Sequence, residues 1–164
     1  MAWIKFIVVA AGVLGIGAFA AGQFGLLAGK PPGDLGIREG KLKAPSKSPN
    51  SVSSQAALWP GHPQQQHAAI APLAFRAGDA DGNATLVRLV QLLAATPGAK
   101  VEISRPDYVY ATFTTRWMKY TDDVEFWLDR AGGVIQVRSA SRLGERDFGA
   151  NRARVEALRE RLAN

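Results

Sequence analysis

The sequence predicts an α+β fold: an antiparallel four- to five-stranded meander with two main helices packed on one face, plus an N-terminal transmembrane helix. Three observations carry this. From Phe6 to Gly29 there is no ionisable residue, and Gln23 is the only strongly polar side chain. Between Lys100 and Ser139 apolar residues recur with period two and the runs are joined by short turns, the pattern of half-buried strands. Before and after that block, apolar residues recur three and four apart, as on one face of a helix. No β-α-β alternation appears, so consecutive strands pair antiparallel.

Residues 1–29 form the first segment. About 20 mostly apolar residues cross a bilayer, and a soluble helix of this length would show a polar stripe that is absent here. A cleaved signal peptide is the alternative, with Met1–Lys5 as basic leader and Ala18-Phe19-Ala20 as cleavage site. The retained span is preferred because the apolar stretch runs on to Ala28. Lys5 favours an inside N-terminus and a periplasmic domain, although Lys30, Arg38, Lys41, Lys43 and Lys47 follow the span.

Residues 30–65 read as a basic Pro/Ser-rich linker, partly draped on the domain through Val52, Leu58 and Trp59. The compact domain is expected over 66–164. Within it, IAPLAF from Ile70 is a short edge strand, since Pro72 cannot donate to a central ladder. Asn83 reads as the N-cap of a helix over Ala84–Ala95, with Leu86, Leu89, Val90 and Leu93 inward and Pro97-Gly98 as the stop. Strands follow at Lys100–Ser104, with Val101 and Ile103 on one face, then at Tyr108–Trp117 and Asp123–Asp129. Arg130–Gly133 turns the chain into Val134–Ser139. Phe148–Leu162 closes as a helix, with Val155, Leu158 and Leu162 inward and Arg154, Glu160 and Arg161 outward.

Composition removes several classes of function. There is no Cys, which excludes disulfides, thiolate metal sites and cysteine nucleophiles. His62 and His67 lack the spacing of a zinc motif, so no metal and no cofactor is expected. Ser53, His67 and Asp123 make no recognisable hydrolase signature without a nucleophile elbow, and neither a Walker loop nor a dinucleotide fingerprint occurs. Asp122 and Asp123 are neighbours on a strand and point to opposite faces; one of them is expected to cap the turn after Tyr120. The net charge of +6 resembles a nucleic-acid footprint, but residues 61–164 hold 14 basic and 12 acidic side chains. Most of the excess therefore flanks the apolar segment, where anionic headgroups are its natural partner, and nucleic acid is not expected.

The densest polar stretch is RSASRLGERDFGANRAR from Arg138 to Arg154. A strand end, a turn and a helix start would gather guanidinium groups, hydroxyls and free N–H groups suited to a carboxylate or phosphate. Internal pairing competes with this, with Arg138 or Arg142 bridged to Asp122, Asp123 or Glu125 on the next strand and Asp147 as N-cap. Tyr108 and Tyr110 share a face with Thr112 and Thr114, either an apolar ligand surface or an ordinary face under the linker.

LGIREGKL at 35–42, SPNSVSSQA at 48–56, HAAIAPL at 67–73, DDVEFWLD at 122–129 and RSASRLGERDFGANRARVEALR at 138–159 resemble, in that order, the family called domain of unknown function 1499. The resemblance covers nearly everything beyond the apolar segment. It implies a bacterial envelope protein, with relatives in plastids, and no established reaction. The family's polar signature falls on Asp123, Glu125, Arg138, Ser139, Ser141, Arg142, Gly144, Asp147, Gly149, Asn151 and Arg152. Where relatives tend to carry cysteines, this chain has Ala44 and Ser51.

The expectation is a non-enzymatic, uncharacterised membrane protein of the bacterial inner membrane. Its partners would be the lipid bilayer through the span, and an envelope protein or a small anionic or amphipathic ligand through Asp123, Glu125, Arg138, Ser139, Ser141, Arg142, Asp147, Asn151 and Arg152. The competing expectation is a hydrolase or lyase using Asp123 or Glu125 as base, with Arg138 and Arg142 holding an anionic group.

Overall fold

The computed structural model describes residues 2–164; Met1, the start of the expected basic leader, lies outside them. The first element is α1 (Ala2–Gln23), long and apolar enough to cross a membrane, with mean hydropathy 2.2 in an 18-residue window of Trp3–Gln23 that is nowhere buried. It ends in a Schellman motif. Gly25 adopts φ 74°, while Leu26 N–H donates to Ala21 C=O and Gly25 N–H to Gly22 C=O. Gly25 is thus the helix stop.

A six-stranded antiparallel sheet follows, made of β1 (Ser51–Ser53), β2 (Leu73–Ala74), β3 (Ala99–Ser104), β4 (Tyr108–Thr114), β5 (Thr121–Asp129) and β6 (Val134–Ser141). The spatial order is β1-β6-β5-β4-β3, and β2 shares the outer edge of β6 with β1. The meander is thus the expected one, and the expected linker adds an edge strand of its own. Three residues with one apolar side chain leave no periodic signal, so β1 could not be seen in the Ser-rich stretch.

Between strands lie the single-turn α2 (Gln65–Ala68) and α3 (Asn83–Ala94), and α4 (Ala150–Ala163) ends the fold. On the helical side Val109, Phe113, Val124, Phe126, Leu128, Ile135 and Val137 meet Leu86, Leu89, Leu92 and Leu93 of α3 and Val155, Leu158 and Leu162 of α4. Each such buried side chain contributes about 1.5–3 kcal/mol, so this layer carries most of the stabilisation.

Details differ from the expectation for local reasons. Gly82, at φ 77°, is the residue before α3, and the cap comes from Asp79, whose carboxylate accepts the N–H groups of Gly82 and Thr85. Asn83 is instead the first helical residue. A bulge between Val101 and Ile103 breaks the alternation of β3, and Ile103 is exposed. Asp122 is no turn cap: it lies within β5 and points to the helices.

Gly98 and Gly61 separate backbone strain from packing. Both have left-handed φ, 81° and 77°, but an added Cβ at Gly98 meets the Thr114 carbonyl oxygen at 2.6 Å, whereas at Gly61 it meets nothing within 4 Å. Gly61→Ala is expected to cost about 1 kcal/mol from φ alone, and Gly98→Ala about 2 kcal/mol more from the forced backbone shift. Urea denaturation of the full chain in detergent measures both; equal losses would refute the packing account.

Candidate functional site

Three acids stand close together on the central strand β5, and alternation sends them to two faces. Glu125 lies opposite Arg138 in the β5–β6 register, and Asp123 opposite Ala140. These point to the side covered by residues 30–65. Asp122 points to the helices.

On the linker side the Arg142 guanidinium grips Asp123 from two nitrogens, Nη2 at 2.7 Å from Oδ1 and Nε at 3.0 Å from Oδ2. The Tyr110 hydroxyl donates to Asp123 Oδ1 at 2.6 Å and accepts from Arg142 Nη2 at 3.1 Å. The hydrogen bond and ion pair with Asp123 raise the Arg142 pKa. Burial, with the Asp123 charge, pushes the Tyr110 hydroxyl up to about 12.

Glu125 is wholly buried beneath the linker. Its Oε1 accepts the Gly36 N–H at 2.7 Å and the Tyr108 hydroxyl at 2.8 Å. Its Oε2 accepts no hydrogen bond among the described residues and lies 3.7 Å from Arg138 Nη1. Burial pushes the Glu125 carboxyl up from 4.5, against the pull of Gly36 N–H, Arg138 and Tyr108. Burial likewise lowers the pKa of Arg138, whose Nε donates to the Ala44 carbonyl at 3.1 Å. Burial also raises the Tyr108 hydroxyl. Tyr108 and Tyr110 thus serve the acids under the linker rather than an open aromatic face.

On the helical side the signature forms a second, separate network. Ser139 Oγ donates to Asn151 Oδ1 at 2.5 Å, and Arg154 Nη1 reaches the same two oxygens at 3.0 and 2.7 Å. Arg154 Nη2 meets Asp122 Oδ2 at 2.5 Å, with its guanidinium over the Phe113 ring. Asn151 Nδ2 donates toward the Asn50 carbonyl, Ser141 Oγ and Asp147 Oδ2. Asp147 also accepts the N–H groups of Gly149 and Asn151, so it caps α4 as expected, with Gly149 as the residue before the helix. Burial opposes but does not outweigh those bonds, which hold the Asp147 carboxyl below its ordinary value.

The nine expected site residues therefore do not form one site. Asp123, Arg138, Ser141 and Arg142 border one cleft; Glu125 lies beneath the linker. Ser139, Asp147 and Asn151 join α4 to the sheet, and Arg152 reaches outward to the carbonyls of His67 and Ala69. Arg154, expected outward, is the missed member. Its spacing carried a signal: three residues after Asn151 and next to Val155, it flanks the inward face of α4.

The cleft of about 520 Å³ has Asp123, Arg138 and Arg142 in its wall, with Lys30, Lys43, Lys47 and His62 from the linker. Lys43 pairs with Asp34 at 2.6 Å; Lys30 and Lys47 pair with no acid among the described residues. Arg142 Nη1 and Arg138 Nη2 donate to no group among the described residues. Among the described residues no three His, Asp or Glu side chains gather as a metal-binding set.

This signature, in chain order and across both faces, decides the family. The family model described as "Protein of unknown function (DUF1499)" matches residues 41–162. The chain belongs to the DUF1499 family. No curated protein and no solved structure matches it. The DUF1499 match runs from before β1 to residue 162 in α4 and so includes the side chains of both polar networks, while Gly36, which donates its N–H to Glu125, precedes it.

The raised Glu125 carboxyl gives a pH test. Between pH 4.5 and its higher folded pKa, the native state holds a proton that the unfolded chain has lost, so ionisation of Glu125 erodes stability as pH rises. Asp34, Asp79 and Asp147 have lowered pKa values and act below 3.8, outside that window. The unfolding free energy of Glu125→Gln minus that of the parent should rise with pH above 4.5 and then level off. Urea titrations across pH measure it, and a difference that falls with pH would show that Arg138 holds the anion.

Proposed function

We propose that this DUF1499 protein is a non-enzymatic, membrane-tethered module that binds a small phosphate- or carboxylate-bearing ligand in the cleft between sheet and linker. One observation carries the reading. The cleft wall holds five cationic side chains, Lys30, Lys43, Lys47, Arg138 and Arg142; Arg142 is paired with Asp123, Arg138 with Glu125 and Lys43 with Asp34, which leaves Lys30 and Lys47 as its net positive charge. The uncommitted Nη groups of Arg138 and Arg142 supply directed donors, and Lys30 and Lys47 supply mobile charge. Unlike an acid–base catalyst, the cleft offers no free carboxylate: Asp123 is held bidentately, and Glu125 lies beneath Tyr108 and Gly36.

The tether is α1, retained in the inner membrane of a bacterial envelope, with the folded domain on the periplasmic side. Its length and its exposed apolar surface support a span, and Lys5 before it supports the periplasmic side. Alkaline phosphatase fused after Asn164 is expected to be active, since that reporter works only outside the cytoplasm; an inactive but stable fusion would reverse the orientation.

Ligand binding is read from thermal shifts of the full chain in detergent, with inorganic phosphate, glycerol 3-phosphate and citrate as probes. At least one should raise Tm. Lys30→Ala/Lys47→Ala should weaken that probe about tenfold, the loss of roughly one charge-assisted contact. An affinity that the double variant leaves unchanged, or no stabilisation by any probe, would overturn the proposed cleft.

A further inference from the structure

We infer that the end of the domain beside α1 seats on the bilayer, with Trp117, Leu143 and Phe148 at headgroup depth. The inference rests on α1 being a retained span. Two loops form this end: residues 115–120 between β4 and β5, and 142–149 between β6 and α4. Trp117 is 63% exposed, Leu143 42% and Phe148 97%. Large apolar side chains gathered at one end of a fold mark an interaction surface rather than scattered exposure.

The occupant follows from continuity with the span. Gln23, the last residue of α1, donates to the Trp117 carbonyl at 2.9 Å. Gly22 lies so close to Met118 that an added Cβ would stand 2.5 Å from its carbonyl oxygen. Gly29 packs on Arg142 and Leu143, where a Cβ would meet their side chains at 2.7 and 3.1 Å. Both loops thus stand where the apolar helix ends, at the level of the membrane surface. Exposed Phe24 and Leu26 connect them to α1.

Charge and side-chain type agree with a headgroup layer. Arg116, Lys119 and Arg146 are in these loops, with Lys30 beside them, against Glu145 and the helix-capping Asp147. Basic residues beside a bilayer are drawn to anionic lipids. Trp favours the interface, where its ring is apolar and its N–H is wet. The Arg116 guanidinium lies 4.9 Å from the Trp117 ring centroid, placing cation and ring together at the loop tip.

The absence of Cys allows single spin labels on the full chain in vesicles of phosphatidylethanolamine and phosphatidylglycerol. Labels go at Leu143→Cys and Phe148→Cys, at Ala131→Cys in the β5–β6 turn, and at Val13→Cys in α1. The nine residues of β5 put the turn at the far end of the sheet, about 30 Å away at the usual rise per residue. Labels at 143 and 148 should lose collisions with a water-soluble nickel chelate and gain collisions with oxygen, relative to 131. If both stay as nickel-accessible as 131 while 13 is lipid-buried, seating is overturned and the tether stands. A nickel-accessible label at 13 overturns the tether and seating together. Spin–spin broadening at 148 without oxygen gain would assign the face to a second copy and also overturn seating.

Discussion

Three buried carboxylates on one central strand impose the organisation of this fold. Asp122, Asp123 and Glu125 all lie in β5, and each is answered by its own arginine: Arg154, Arg142 and Arg138. Leaving one partner unpaired would cost about 3–5 kcal/mol, so loss of any one of these arginines would leave a charge that the interior cannot accept. Arg138 comes from the neighbouring strand, Arg142 from the residue just past its end and Arg154 from the C-terminal helix, so pairing fixes β6 and α4 relative to β5. The interaction specifies an arrangement more than it adds stability, since apolar replacements of buried ion pairs are often as stable.

Because Asp122 and Asp123 are adjacent on a strand, the sheet needs cations on both faces. The helical face combines one ion pair with the apolar core, and Asn151 spreads the connection to β6 and to the segment before β1. Among the described residues the long helices α3 and α4 pack on that first face. On the other face residues 30–65 serve as cover, with Gly36 N–H and the Ala44 carbonyl contributing to the shells of Glu125 and Arg138. A Pro- and Ser-rich chain suits this task, since its backbone groups are not committed to a helix. Ser51, at a position where the family resemblance implies cysteine in relatives, accepts the Ser46 N–H at 2.8 Å and so ties down the loop that borders the cleft.

Much of this was legible in residue order. Alternation in β4, β5 and β6 and the inward rows of α3 and α4 are strong periodic signals, and they placed the meander and its helices. The opposite faces of Asp122 and Asp123 follow from the same alternation. The competing possibility of internal pairing named the three acids and two of their three arginines, but assigning each arginine to its acid requires the register, which depends on loop lengths and a bulge. Arg154 was misplaced because a charged residue at the border of a helical face is solvated by default. The cleft itself was illegible, because Lys30 and Lys47 are far in sequence from Arg138 and only the folded linker brings them together.

Internal pairing and ligand binding are often weighed as alternatives, yet a guanidinium has five N–H donors and a carboxylate occupies two or three of them. Arg142 commits Nε and Nη2 to Asp123 and Tyr110, which orients the remaining nitrogen. The pairing that fixes the fold therefore also holds a donor rigidly, which limits the ordering cost that binding would otherwise carry. Lysines on the linker then decide the net sign of the cleft, because the paired arginines are close to neutral in combination with their acids. The proposed anion site on this sheet thus belongs as much to the wrapped segment as to the signature arginines beneath it.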